Sequence, residues 1–286
     1  MKFSLVTATY GRSSELELLF ESLRKQTHRS FEVIVIDQNP DDRVGEVLRR
    51  FAGAFDVKHI RSAKGLSKAR NVGLDHVDGD LVAFPDDDCR YPADLLERVA
   101  KAFREDAGLG GLCGMSVDDS GAPSQGRWAT SAHRVDRSNI WSSATSYTIF
   151  LRRDAMVAAG KFDETLGVGA GTRWGAGEEV DFLLRVLKAG ARVHYDPAVQ
   201  VHHDDPTRDY TAAALARGRL YNRGLGRVLR LNGYPFGFAC YLSGRSFARA
   251  AVSLARLDIP RARYAFVAGL GRLLGFADSV DKPGER

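Results

Sequence analysis

The chain has 286 residues, 44% of them hydrophobic and 27% charged, the balance of an ordinary soluble globular protein. Its three cysteines, Cys89, Cys113 and Cys240, lie far apart without a CxxC or Cys/His pattern, which excludes a disulfide framework and a structural zinc and fits a reducing compartment. The net charge of +5 is unevenly spread, with 27 basic against 30 acidic residues through residue 204 and 14 against 6 after it. Met1-Lys2-Phe3-Ser4-Leu5-Val6 lacks the long apolar region of a signal peptide and reads as a first strand, so a cytoplasmic location is expected.

From Phe3 to about residue 117 strand-like and helix-like segments alternate. Phe3 to Thr9 reads as a strand, and between Ser13 and Gln26 the apolar Leu16, Leu19, Phe20 and Leu23 recur at helical spacing. Val33-Ile34-Val35-Ile36, ending at Asp37, is a continuous apolar run of the kind buried on both faces of a parallel sheet. A helix over about 42–52, a short strand near Val57 to Ile60, a helix from Leu66 to Val77 and a strand from Asp80 to Phe84 complete a βαβα series. That series predicts an α/β fold with right-handed crossovers. A Gly/Ser-rich stretch then leads to a strand at Ser146 to Leu151. Val180, Leu183, Leu184 and Leu187 mark one buried face of a helix opening at Glu178-Glu179, and strands at Val193 to Tyr195 and Val199 to His202 follow. The remainder reads as two or three Arg-rich helices.

Phe84-Pro85-Asp86-Asp87-Asp88 puts three carboxylates at the end of an apolar strand, where an open α/β sheet keeps its ligand crevice. Hard oxygen ligands there suit Mg²⁺ or Mn²⁺ holding a diphosphate, and three like charges buried without a cation are costly. A solvated acidic turn is the plain alternative. Asp37 ends the second strand at the same edge, where a carboxylate accepts hydrogen bonds from a base or a ribose, or else caps a helix. Lys64-Gly65-Leu66-Ser67-Lys68-Ala69-Arg70-Asn71 adds glycine, backbone amides and cations there, without the spacing of a Walker motif.

Five segments occur in order: Thr7-Ala8-Thr9-Tyr10-Gly11-Arg12, Val33 to Asp37, Gly65 to Gly73, Phe84 to Asp88, and Gly177-Glu178-Glu179-Val180-Asp181-Phe182 with Arg185. In order and spacing they resemble glycosyltransferase family 2 over residues 1 to about 204. The resemblance implies a GT-A fold for residues 1–204, a Rossmann-like α/β domain that binds a nucleotide-diphospho-sugar. It also implies metal-dependent, inverting transfer of a sugar, hexosyltransferase-type, from a UDP-sugar to a hydroxyl. By the same resemblance Thr7, Thr9, Tyr10, Arg12, Asp37, Arg70, Asp86 and Asp87 line the donor. Asp86 and Asp88 form the DxD pair, with Asp88 on Mn²⁺ or Mg²⁺. Glu179 is implied as the base, with Glu178 as its alternate, because Glu-Glu stands where the family commonly has Glu-Asp. His202 and His203 stand where some members carry a further metal ligand, and the usual alignment favours His202. Trp174, in the glycine-rich Gly167 to Gly177 segment, and Asp181 are expected at the acceptor; a buried packing Trp is the other reading. Inversion needs a base and a stabilised leaving diphosphate but no covalent nucleophile.

Residues 205–286 are expected to form a basic amphipathic helical extension. Their longest uncharged stretch, Leu231 to Gly244, has 14 residues, too short for a bilayer that needs about 20. Basic amphipathic helices lie on anionic membranes, which predicts peripheral association with the inner face of the cell membrane. The expected acceptor is then a saccharide on a lipid diphosphate, in bacterial cell-surface polysaccharide synthesis. A helical cap on the catalytic domain is the plain reading, and no nucleic-acid reader motif accompanies the arginines. Two other classes of function are a sugar-phosphate nucleotidyltransferase using the same carboxylates and a non-catalytic saccharide- or membrane-binding module.

Overall fold

Strands β1 (Phe3–Thr9) and β2 (Phe31–Asp37) are buried along almost their whole length, as strands covered on both faces must be. In the computed structural model, which describes residues 1–204 and 210–279, they pair in parallel with Thr9 opposite Asp37. β3 (Asp56–Arg61) continues the parallel sheet beyond β2, and β4 (Leu81–Ala83) joins the other side of β1. The strand order therefore reverses between β1 and β4, and the carboxyl ends beside such a switch point are where α/β sheets bind ligands.

Helices α1 (Ser14–Arg24), α2 (Arg43–Arg50), α3 (Leu66–Leu74) and α4 (Leu95–Glu105) alternate with these strands. α1 buries Leu16, Leu19, Phe20 and Leu23 as its periodicity predicts. On α3 a Cβ at Gly73 would overlap Val6 of β1, so this glycine lets the helix lie close to the strand. β5 (Leu109–Val117), β6 (His133–Arg134), β7 (Ile149–Arg152) and β8 (Arg192–His202) complete the sheet in the order β3-β2-β1-β4-β7-β5-β8-β6. β8 is one strand where the sequence predicts two. Its pairing with β5 nevertheless jumps from Cys113–Tyr195 to Met115–Gln200, across Pro197, which has no N–H to give a ladder.

The chain divides into two compact units, Met1–Phe162 with Phe182–Pro206, and Asp163–Asp181 with Thr207–Arg286. The first also holds α5 (Arg153–Ala159). Helix α6 (Glu178–Lys188) opens in the last residues of Asp163–Asp181. The second unit is built on α7 (Ala212–Leu231), α8 (Phe236–Ala255) and α9 (Ile259–Ala277). Asp163–Asp181 thus groups with the C-terminal helices. The reason is local: Gly175 N–H donates to the Leu220 carbonyl at 3.2 Å, and a Cβ on Gly224 would overlap the Ala176 backbone.

Asp278, just past α9, ties this unit together. Its carboxylate accepts from Arg223 Nε at 2.8 Å and Nη2 at 2.6 Å, and from Trp174 Nε1 at 2.8 Å. Burial works to raise its pKa, but Arg223 and Trp174 more than offset this and leave it lowered. A carboxyl with a folded pKa below its unfolded value of about 3.9 contributes stability above that value and loses it as pH falls through the folded pKa. Asp278→Asn is expected to lower Tm at neutral pH and to flatten the acid-side decline of Tm. Circular-dichroism melts across pH check both.

Candidate active site

Pro85 ends the β4 ladder, and Asp86, Asp87 and Asp88 leave the sheet in a turn closed by Cys89 N–H donating to the Asp86 carbonyl at 3.1 Å. The next residue, Arg90, exchanges two backbone hydrogen bonds with His202, at 2.8 and 2.9 Å. That bridge brings the end of β8 beside the acidic turn. Along β8 Val199 and Val201 are buried in the core, and the period of two puts His203 on their face and His202 on the other. His203 Nε2 accordingly lies 3.0 Å from Asp88 Oδ1, and its ring stacks on Tyr147 with centroids 4.8 Å apart. His202 Nδ1 instead stands 3.8 Å from Asp119. Of the two histidines, His203 is thus the one whose ring nitrogen stands beside Asp88. Asp86, Asp88 and His203 each offer a ligand atom within 4.8 Å of the others.

Two guanidinium groups balance the carboxylates. Arg12 Nη1 lies 2.5 Å from Asp87 Oδ1 and 2.7 Å from Asp88 Oδ2. The buried Arg70 donates to Asp86 Oδ1 at 3.0 Å, and Ser146 Oγ reaches the same oxygen at 3.2 Å. The Arg70 guanidinium lies 5.6 Å from the centroid of the Phe162 ring, which stacks on Phe182 and whose backbone is clamped by the Asn71 amide at 3.0 and 2.7 Å. Burial lifts Asp87 to about 6 against the pull of Arg12. Burial likewise raises Asp86 although 30% of its side chain meets solvent, with Arg70 opposing and Asp88 adding to the rise. Asp88 goes the other way, because His203 and Arg12 outweigh its burial. His203 is raised, since Asp88 outweighs the burial that disfavours its charged form. Such a set of acids calls for positive charge, and two carboxylate oxygens with one imidazole nitrogen are donors that Mn²⁺ and Mg²⁺ accept. The residues therefore fit a divalent cation.

At the end of β2 Asp37 is 0% exposed and its acceptor sites are already engaged. Oδ1 accepts from Asn39 N–H and Nδ2 at 2.9 and 2.8 Å, while Oδ2 meets His59 Nε2 at 2.9 Å and Arg61 Nη1 at 3.2 Å. Thr7 on β1 keeps a buried hydroxyl without a hydrogen-bond partner among the described residues, and the buried Thr9 hydroxyl stands beside Asp87, whose charged form it favours. Tyr10 is exposed, with Lys64 Nζ 4.1 Å above its ring. Asn39, His59, Arg61, Ser146 and Tyr147 carried no motif. Only the pairing of β2 with β3 and the return of the chain into β7 reveal them.

The remaining candidates lie in Asp163–Asp181. Glu178, 5% exposed, and the half-buried Glu179 form the first turn of α6. Gly177 precedes them at φ +95°, and a Cβ there would stand 2.8 Å from Val228, so this position takes glycine for conformation and for space. Trp174 is not an exposed platform. It is 4% exposed, its Nε1 is used by Asp278, and the Arg227 guanidinium lies 4.5 Å from its ring centroid. Asp181 is also buried and accepts from Asn232 Nδ2 at 2.9 Å. Both side chains are enclosed within the helical unit.

A family model described as Glycosyl transferase family 2 matches residues 4–156. The chain is 31% identical over 172 residues to the succinoglycan biosynthesis protein ExoM of Rhizobium meliloti, covering 58% of this chain and 53% of that one. It is 29% identical over 232 residues to the pre-mycofactocin glycosyltransferase of Mycobacterium tuberculosis, covering 73% of this chain and 44% of that one. It thus spans about half the length of these curated relatives. Among solved structures, the mannosyltransferase PcManGT from Pyrobaculum calidifontis in complex with GDP-Man and Mn²⁺ superposes with a TM-score of 0.64 at 18% identity, over 95% of this chain and 87% of that one. S. aureus TarS 1-349 in complex with UDP-GlcNAc gives 0.57 at 18% identity, over 100% and 98%. The fold is GT-A, with α7, α8 and α9 as its C-terminal helical extension.

Proposed function

Because the chain belongs to glycosyltransferase family 2, we propose that it transfers a sugar, with inversion, from a UDP-sugar to a hydroxyl of a lipid-diphosphate-linked saccharide in bacterial cell-surface polysaccharide synthesis. The observation that carries the reading is the Asp86, Asp88 and His203 cluster at the β1/β4 switch point. A divalent cation bound there supplies charge that stabilises the departing diphosphate. Arg12 and Arg70 hold the acidic turn in shape and add positive charge beside it. Asp37, braced by Asn39, His59 and Arg61, and the buried Thr7 and Thr9 shape the β1–β2 edge against which the nucleoside lies. Glu179 accepts the proton of the attacking hydroxyl, so one displacement completes the transfer. ExoM supports a polysaccharide pathway through its printed name, and the UDP-GlcNAc complex of TarS and the GDP-Man complex of PcManGT support a nucleotide-sugar donor. The helical unit's Arg-rich composition supports an acceptor held at a peripheral, anionic membrane surface.

Calorimetric titration of UDP with and without Mn²⁺, on the wild type and on Asp88→Ala, tests the reading. Metal-dependent binding that falls at least about tenfold in the variant supports it. Metal-independent binding, or binding of GDP in preference to UDP, overturns the metal or the uridine assignment.

A further inference from the structure

Helices α8 and α9 are inside out. α8 buries Ala239, Ser243, Ser246 and Ser253, while Phe236, Tyr241, Val252 and Leu254 are exposed. α9 buries Ala262, Ala265, Ala268, Gly269, Gly271 and Gly275, with Phe276 near its end as the one large side chain among its buried residues, and exposes Ile259, Phe266 and Leu270. In water the large apolar side chains belong inside. Small residues packed inward with large apolar ones outward is the arrangement of helices whose outer face meets lipid.

The turn between the two helices sharpens the point. α8 ends in a Schellman motif, with Asp258 N–H on the Ser253 carbonyl and Leu257 N–H on the Leu254 carbonyl, both at 2.9 Å. The left-handed position of that motif normally takes glycine. Here it is Leu257, at φ +58° and 83% exposed. A leucine there is strained and gains nothing from burial within the chain. Asp258 then caps α9 by accepting from Arg261 N–H at 3.2 Å.

Charge identifies the partner. Residues 236–277, which form α8, α9 and their turn, carry six arginines and one acidic residue, Asp258. Arg245, Arg249, Arg256, Arg261 and Arg263 are exposed on the same two helices as the apolar side chains. Among the described residues no helix is long and apolar enough to cross a membrane, so the element lies on a bilayer rather than spanning it. We propose that the α8–α9 hairpin is a membrane-docking element that inserts Leu254, Leu257 and Ile259 into an anionic lipid bilayer, with its arginines on the headgroups. This deepens the membrane part of the function proposed above. It needs no donor, so vesicle binding and UDP binding fail independently.

The test uses the full chain with phosphatidylglycerol-containing and pure phosphatidylcholine vesicles, read by co-sedimentation, and compares wild type with Leu257→Asn. Asparagine tolerates the left-handed conformation, so the variant is expected to keep or raise Tm while its affinity for the anionic vesicles falls about tenfold. Wild-type binding should be weaker on the neutral vesicles. Equal binding of both proteins, or no wild-type binding to anionic vesicles at low salt, overturns the proposal. So does a wild-type dimer in light scattering that Leu257→Asn makes monomeric, which would assign the face to a second copy of the chain.

Discussion

Glu179→Gln is expected to lower kcat by about 10²–10⁴, the usual worth of a positioned general base, with KM and the affinity for UDP little changed. The substitution keeps the shape of the side chain and removes only its capacity to take a proton. Glu178 and Glu179 are adjacent in the first turn of α6 and differ in burial, Glu178 being enclosed and Glu179 half-buried. A proton acceptor must meet the acceptor hydroxyl, which favours Glu179. Glu178→Gln is then expected to lower Tm more than kcat. Steady-state kinetics on both variants, with the pH profile of kcat, decide the matter. Loss of the acidic limb in Glu179→Gln alone identifies the base, and the converse result moves the role to Glu178.

Gly226→Ala and Gly275→Ala are expected to destabilise the helical unit by about 2–3 kcal/mol each, the cost of overpacking a close approach. A Cβ on Gly226 would overlap the Arg272 carbonyl oxygen, and one on Gly275 the Arg223 carbonyl oxygen. Backbone cannot step aside as a flexible side chain does. The opposing term is helix propensity, which favours alanine over glycine by about 1 kcal/mol and is the smaller of the two. Gly237 and Gly244 on α8 provide the contrast, since nothing lies within 4 Å of a Cβ at either position. There only propensity acts, and Gly244→Ala should stabilise by about 0.5–1 kcal/mol. Denaturant titrations of the three variants measure both signs; an unchanged midpoint in Gly226→Ala would mean that α7 and α9 do not approach so closely.

Much of the catalytic unit is legible from local pattern. Val33 to Ile36 is apolar without alternation, as a strand covered on both faces requires, and β2 is such a strand. Asp86 to Asp88 follow an apolar run and a proline, and consecutive residues at a strand end need no tertiary information to be placed together. The acidic opening of α6 was visible for the same reason. His203 was not separable from His202, because alternation says that the two diverge but not which way the strand faces. The Arg90–His202 bridge and the burial of Val199 and Val201 settle that.

Trp174 shows the opposite limit. A tryptophan in a glycine-rich segment has the composition of a mobile platform, yet Asp278 and Arg227, 104 and 53 positions further along, enclose it. Such pairings depend on how distant segments meet, which composition does not encode. The same holds for α8 and α9. Arginine content and amphipathic character were present in the sequence, but which face turns inward followed only from the helix seam, where glycine, alanine and serine let backbones approach. The sequence by itself thus determined the βαβα order, the acidic turn and the acidic helix start, since each depends on residues near one another in the chain. The choice of histidine, the enclosure of Trp174 and the outward face of the hairpin were decided by tertiary structure, because packing between remote segments selects among faces that local periodicity leaves equivalent.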